Sequence, residues 1–149
     1  FTIDMIYLWL NIGIMPFWFV LIFFPNSKIC SFFVSSIFPI FILSLIYLYL
    51  VYFFYVSGYD FGQNFSLYLS LDSLNQLFNE KAFLIIFWTH FIAINLFCGS
   101  WIVSDSRKFS MSKILVFFPL VITYFVGPLG VFIYWLIRIF FAKKISLYD

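Results

Sequence analysis

Charged residues divide the chain into four long apolar runs. Residues 5–27, 29–59 and 114–137 contain no Asp, Glu, Lys, Arg or His, and residues 82–104 contain only His90. Each run is long enough for a helix to cross a hydrocarbon layer of about 30 Å, which takes about 20 residues. The runs are continuously apolar and do not alternate as the strands of a transmembrane barrel do. The pattern predicts an all-α membrane protein with four transmembrane helices, near residues 5–24, 30–55, 82–103 and 114–141.

The one extended polar segment covers residues 57–81. Within it Leu67, Leu71, Leu74 and Phe78 recur at the spacing of one helical face, and most polar residues fall on other faces. This spacing predicts an amphipathic helix at the membrane interface, between helices two and three. Because the remaining sequence leaves no room for a second domain, residues 1–149 are predicted to form a single four-helix transmembrane domain.

Proline and glycine are predicted to bend two of these helices. Pro39 lacks an N–H and crowds the carbonyl of Ser35, which predicts a kink in helix two. The pair Gly127 and Pro128 predicts a break near the middle of helix four. Such a break frees the carbonyl of Tyr124, which then needs a partner inside the bundle.

The composition restricts the function classes. Hydrophobic residues make up 65% of the chain and charged residues only 9%, whereas a soluble domain is about 25% charged. This excludes a soluble enzyme, a disordered tail and a nucleic-acid-binding protein, despite the net charge of +2. The positive-inside rule favours the two short connectors, near Lys28 and residues 105–113, on the cytoplasmic side and both termini on the other. Arg138 is predicted to extend its guanidinium to the nearer interface.

His90 is the one histidine and lies inside helix three. An ionisable side chain at that depth is costly unless it faces protein, a cavity or a ligand. The imidazole could act as a general acid or base, ligate the magnesium of a chlorophyll, or donate a hydrogen bond to a neighbouring helix as a neutral structural group. No metal-ligand, phosphate-loop or hydrolase motif accompanies it. The sequence leaves these three roles open.

Asn95 does not share a helical face with His90, because five residues correspond to about 140° of rotation. Trp88, Asn95 and Gly99 share one stripe of the helix, and His90 and Trp101 share another. The small polar patch at Asn95 and Gly99 is typical of positions where two membrane helices pack closely.

Three stretches of the sequence together resemble one known family. The opening stretch carries Pro16, Trp18 and Pro25. The other two stretches supply a tryptophan–histidine motif, a small-residue motif and a final glycine–proline motif, on Trp88, His90, Asn95, Gly99, Trp101, Asp105, Gly127, Pro128, Gly130 and Arg138. In order and spacing these residues resemble the neoxanthin-synthase-like family, named for the abscisic-acid-deficient-four protein of plants. The resemblance covers nearly the whole chain.

The resemblance implies a four-helix membrane protein, and the family's plant members are tied to the conversion of violaxanthin to neoxanthin. That isomerisation opens an epoxide and forms an allene, so it needs an acid near the epoxide oxygen and a base near the departing proton. By position, the resemblance implies catalytic roles for His90 and Asn95. Asn95 stands where the family pattern has Asp, and an amide cannot exchange a proton as a carboxylate can. The resemblance implies ligand contacts from Trp88, Gly99, Trp101, Asp105, Gly127, Pro128 and Arg138.

Two functions are therefore expected. The first is a carotenoid-related membrane protein that isomerises or binds a xanthophyll, with the lipid bilayer and a carotenoid as partners. The second is a non-catalytic accessory subunit of a larger photosynthetic or respiratory membrane complex. Neither requires a cofactor, and both are compatible with a bound carotenoid or chlorophyll. The expected location is a thylakoid or plasma membrane of a phototroph or another bacterium, or an organelle membrane.

Overall fold

The computed structural model describes residues 2–147, and within them it contains helices and no strand. The predicted all-α class is thereby confirmed. A π-helical turn at Cys30–Val34 and a 3-10 helix at Phe61–Tyr68 accompany the α-helices. We number the α-helices in chain order: α1 (Ile3–Phe23), α2 (Phe38–Val56), α3 (Leu71–Leu77), α4 (Lys81–Lys108), α5 (Lys113–Phe125) and α6 (Gly127–Ala142).

Three segments are long and apolar enough to cross a membrane: Ile3–Phe23, Cys30–Val56 and Lys81–Lys108. α5 has 13 residues and α6 has 16, fewer than the roughly 20 that a crossing requires. Residues 2–147 therefore offer three candidate crossings, whereas the hydrophobic pattern predicted four.

α4 is the central helix of the bundle, because it packs against α1, α2, α5 and α6. In an 18-residue apolar stretch of α4, 50% is buried, compared with 22% in the corresponding stretches of the other two candidate crossings. α1 runs parallel to it: Asp4 lies 3.6 Å from Lys81 at one end, and Arg107 Nε donates to the carbonyl of Pro25 over 2.7 Å at the other. The α1 face that meets the bundle is a helical stripe of Leu10, Ile14, Trp18 and Leu21.

The second candidate crossing bends where Pro39 predicts it. The π-helical turn ends at Val34, three residues form a bend, and α2 begins with Pro39 in its first turn. The bend leaves the Val34 carbonyl without a helical partner, and Ser100 Oγ of α4 donates to it over 3.2 Å. A polar side chain from a neighbouring helix therefore compensates the broken backbone hydrogen bond.

α5 and α6 form a helical hairpin whose turn lies halfway along α4. α5 starts beside the end of α4, and near its own end Tyr124 contacts Trp18 of α1 with ring centroids 5.5 Å apart. α6 then runs back, and both Tyr134 and Arg138 donate to Asp105 near the end of α4. The two helices therefore run in opposite directions along the same half of the bundle.

The turn of the hairpin requires a close helix approach. A Cβ atom at Gly130 of α6 would overlap Oγ1 and the backbone nitrogen of Thr123 on α5. The predicted break near Gly127 is thus confirmed, but its consequence differs from the prediction. The chain reverses at Val126, and α6 returns to the end of the bundle from which α5 started.

The hairpin corrects the expected placement of the C-terminal part of the chain. Its last described residues lie at the same end as the two short connectors, because α6 doubles back and Arg138 is bound to Asp105. All eight lysines and arginines of the chain fall within residues 2–147. Lys81 lies at the opposite end of the bundle. The end that carries the two short connectors holds the other seven: Lys28, Arg107, Lys108, Lys113, Arg138, Lys143 and Lys144.

The polar segment between α2 and α4 differs from the amphipathic helix predicted for it. Ser70 Oγ accepts from the backbone N–H of Ser73 and thereby starts α3, which has only seven residues. Leu67 lies in the separate 3-10 helix, so the predicted stripe does not continue along one helix. Leu77 is buried, whereas Leu71 is 80% exposed.

The hairpin predicts that positions 108 and 145 face the same side of the membrane. Cysteines introduced one at a time as Lys108→Cys, Ile145→Cys and Asn75→Cys, with Cys30 and Cys98 replaced by alanine, are exposed to a membrane-impermeant maleimide. We expect the first two to be labelled from one side and Asn75→Cys from the other. Labelling of Ile145→Cys from the same side as Asn75→Cys would instead show a complete fourth crossing.

The close approach at Gly130 predicts that Gly130→Ala lowers the free energy of unfolding. Overpacking of this kind costs about 1–3 kcal/mol. Gly13 is the matched control, because a Cβ there meets no atom within 4 Å, and Gly→Ala in an open helical position stabilises by roughly 0.5–1 kcal/mol. The free energy of unfolding of both variants is measured in detergent micelles. Equal stability of the two variants would contradict the close packing of the hairpin.

Candidate functional site

A cavity of about 220 Å³ lies between α1, α4 and the turn of the hairpin. Its lining residues on α4 run from Trp88 to Asn95, near the middle of that helix. Its walls are largely aromatic and aliphatic, and they consist of Asn11, Ile14, Trp18, Trp88, Phe91, Ile92, Asn95, Tyr124 and Phe125. An apolar pocket with a few polar groups is the usual form of a small-molecule site.

The amide of Asn95 is the distinctive polar group of this cavity. The residue is 5% exposed, and its Nδ2 is buried without a hydrogen-bond partner among residues 2–147. Leaving a buried donor unsatisfied costs about 1–3 kcal/mol, and such groups are rare in folded proteins. Asn95 is therefore the residue of the cavity lining whose donor is still open.

Two other polar side chains of the lining, Trp88 and Asn11, are already paired with each other. Trp88 Nε1 donates to Asn11 Oδ1 over 3.3 Å, and Asn11 Nδ2 donates to the carbonyl of Tyr7 over 2.7 Å. These bonds hold the indole of Trp88 against α1. The cavity thus combines a fixed aromatic wall with a free amide donor.

Two glycines allow the cavity to form. At Gly99 an added Cβ would lie 2.6 Å from Cη2 of Trp18, so only glycine lets that indole approach α4 so closely. At Gly127 an added Cβ would overlap Oδ1 of Asn95, so the start of α6 rests directly on the amide. The structure therefore brings together Trp88, Asn95, Gly99 and Gly127 of the predicted site residues. Pro128 is exposed in the first turn of α6 and does not line the cavity.

A buried ion pair holds α6 against α4, on the side of the cavity nearer the basic end of the bundle. Arg138 Nε lies 2.7 Å from Asp105 Oδ2, and the two side chains are 0% and 3% exposed. Tyr134 donates its hydroxyl to the same oxygen over 2.6 Å. Arg138 does not extend outwards as predicted. The hairpin carries its guanidinium to the Asp105 carboxylate, where each partner neutralises a charge that would be costly to bury alone.

Trp101 supports this ion pair and not the cavity. Its ring meets the ring of Tyr134 edge to face, with centroids 5.6 Å apart. Trp101, Asp105 and Arg138 therefore belong to the anchor of the hairpin, which lies beyond the cavity towards the basic end. Sequence reasoning did not select Tyr134. Its position one helical turn before Arg138, on the same face, is the signal that could have identified it.

His90 lies apart from the Asn95 cavity. It is exposed on the side of α4 that faces α2, where it lines an open groove together with Ser44, Tyr47 and Thr89. The structure therefore does not place His90 and Asn95 in the same site, in agreement with their spacing along the helix. Within residues 2–147 no three or more His, Cys, Asp or Glu side chains form a group that could hold a metal ion.

Comparison with known proteins identifies one family. The sequence model described as ABA DEFICIENT 4-like matches residues 5–134 of the chain. This range contains the whole Asn95 cavity and the hairpin as far as Tyr134. No curated protein and no solved structure matches the chain.

The buried ion pair predicts a large effect of Arg138→Met. The substitution leaves the Asp105 carboxylate buried without its cation, which typically destabilises by about 3–5 kcal/mol. Lys108→Met removes the same charge at an exposed position on the same end, and we expect a change of less than about 1 kcal/mol. Unfolding in detergent micelles measures both variants. Equal losses would show that the pair does not hold the hairpin.

Proposed function

The chain belongs to the ABA DEFICIENT 4-like family, and on this premise we propose that it binds the oxygen-bearing end ring of a xanthophyll in the Asn95 cavity. The family relates the chain to membrane proteins of carotenoid and abscisic acid biosynthesis, and its long apolar helices fit a lipid bilayer. The step from this general role to a xanthophyll is supported by the chemistry of the cavity. A carotenoid-containing membrane, such as a thylakoid or a bacterial plasma membrane, is the location that the proposal implies.

The unpaired Nδ2 of Asn95 is the observation that carries the proposal. A hydroxyl or epoxide oxygen on the end ring would accept the hydrogen bond that the protein leaves open. Apart from its oxygen atoms the ring is a compact aliphatic group, and the walls offer it the aromatic side chains of Trp18, Trp88 and Phe91. An oxygen-free carotene would fill the same volume and would leave the donor unsatisfied.

The side chains of the cavity support positioning of a xanthophyll more directly than its isomerisation. The Asn95 amide would polarise an epoxide oxygen by hydrogen bonding, but it would not transfer a proton to it. Tyr124 is the one titratable side chain among the residues that line the cavity. Proton transfer during epoxide opening would therefore depend on the Tyr124 phenol, whereas His90 lies in another groove.

The alternative role, an accessory subunit of a larger complex, is favoured by the Asn95 amide, which cannot exchange a proton, and by the exposed aromatic surface. Large side chains such as Phe32, Tyr55 and Phe140 are 73%, 72% and 81% exposed. A lipid environment accounts for these rings equally well, since aromatic and aliphatic side chains cover the lipid-facing surface of membrane helices. The cavity has no role in this alternative, so we retain xanthophyll binding as the proposal.

The proposal predicts that Asn95 determines the preference for an oxygenated ligand. Violaxanthin and β-carotene are added to the purified protein in detergent micelles, and retained pigment is measured by absorption. We expect wild type to prefer violaxanthin, and Asn95→Leu to lose roughly 5- to 150-fold of that preference, which corresponds to about 1–3 kcal/mol for one buried hydrogen bond.

His90→Leu is the matched control, because it removes a polar side chain from the same helix outside the cavity. We expect this variant to keep the preference of wild type. Equal binding of the two pigments by wild type would overturn the proposal. A loss in His90→Leu with no loss in Asn95→Leu would move the site to the groove between α2 and α4.

A further inference from the structure

We propose that the ligand lies along an open groove between α1 and α4, which leads from the Asn95 cavity to the end of the bundle that carries Asp4 and Lys81. In this arrangement the oxygen-bearing end ring is at Asn95 in the middle of the membrane. The apolar chain then runs parallel to the helices towards the less basic side. This inference rests on the proposed function and adds the path and the orientation of the ligand.

The groove is a second open space of about 390 Å³ on the same face of α1 and α4. Its lining residues on α1 continue the helical stripe that lines the Asn95 cavity, from Ile3 and Tyr7 to Asn11. On α4 the stripe runs from Lys81 through Leu84 and Trp88 to Asn95. One face of the two parallel helices therefore carries both spaces.

Trp88 lies at the boundary of the two spaces, because its side chain lines both of them and its hydrogen bond to Asn11 holds the indole against α1 there. The ring of Tyr7 lies beside it on the groove side, with centroids 5.6 Å apart, and the ring of Phe91 stacks on it at 5.3 Å. These three rings form a continuous aromatic surface from the groove to the cavity. A conjugated hydrocarbon chain is a suitable partner for such a surface.

The hairpin explains why the groove is open. α5 and α6 cover the half of the α1–α4 face nearer Asp105. The turn that connects them lies at the level of Asn95, where Tyr124 and Phe125 line the cavity. In the half nearer Lys81, Phe78 at the end of α3 is the one lining residue within residues 2–147 that comes from outside α1 and α4. Tyr7 and Leu84 remain 47% and 39% exposed there. The open length from Lys81 to Asn95 is about 21 Å, from a rise of about 1.5 Å per residue.

The size of the cavity requires that most of a carotenoid lies outside it. At about 220 Å³ it is smaller than the roughly 300–1,000 Å³ of an ordinary small-molecule site. It therefore takes one end of a carotenoid, and the remaining chain must leave it. The turn of the hairpin blocks the direction towards Arg138, whereas the groove continues from Trp88 in the opposite direction.

The first test narrows the groove without changing the cavity. Leu84→Trp adds a large ring to the groove from a half-exposed position, so we expect normal folding and about a tenfold or greater loss of violaxanthin affinity in micelles. Ile94→Trp is the control, since it adds the same ring to α4 on the side that faces α2, and we expect it to bind as wild type. Unfolding in micelles confirms that both variants are folded.

The second test measures the orientation of the bound pigment. Wild type loaded with violaxanthin is placed in oriented bilayers, and linear dichroism gives the angle between the polyene axis and the membrane normal. We expect a small angle, because α1 and α4 run across the membrane. An angle close to the membrane plane would overturn the inference and indicate a sideways exit between helices.

The outcomes separate this inference from the proposed function. Loss of binding in both Leu84→Trp and Asn95→Leu, with retention in Ile94→Trp, supports the groove. Normal binding by Leu84→Trp together with loss in Asn95→Leu overturns the groove and leaves the cavity as the site. Equal binding of violaxanthin and β-carotene by wild type overturns the proposed function itself.

Discussion

The buried ion pair between Asp105 and Arg138 determines where the last two helices go. A charge inside an apolar bundle is costly unless a partner neutralises it, and here the partner is 33 residues away in sequence. To bring the two groups together, α6 has to return along α4. The pair therefore holds the hairpin in place, and the turn of the hairpin forms one wall of the Asn95 cavity. Tyr134 completes the arrangement by donating to the same carboxylate oxygen.

The turn of the hairpin interrupts the helix, so its backbone polar groups need hydrogen-bond partners. Irregular backbone at this depth is tolerated where it is enclosed by protein or lines a cavity. Here Tyr124 and Phe125 line the Asn95 cavity and Gly127 is buried against Asn95, whereas Val126 between them is 49% exposed. The N–H of Val126 donates to the Ile122 carbonyl over 2.7 Å, and Thr123 Oγ1 donates to the Pro119 carbonyl over 2.7 Å. The interrupted helix and the free Asn95 amide thus lie at the same level of the bundle.

Much of the local structure could be predicted from the sequence. The long uncharged runs indicated the three candidate crossings, because a helix that satisfies its own backbone is the structure that an apolar run adopts in lipid. Pro39 indicated the bend before α2, and Gly127 with Pro128 indicated the break after α5, because both effects arise within a few residues. Helical spacing alone placed Trp88, Asn95 and Gly99 on one stripe and His90 on another.

The sequence by itself therefore determined the helical class, the apolar segments, the bends and the faces of α4, all of which depend on residues close together in the chain. Only the tertiary structure decided the direction of α6, the burial of Arg138 and the enclosure of Asn95. These depend on contacts between distant residues: Arg138 with Asp105, Trp18 with Gly99, and Gly127 with Asn95. A break in a helix permits either a continued crossing or a reversal, and the partner of one buried charge selects between them.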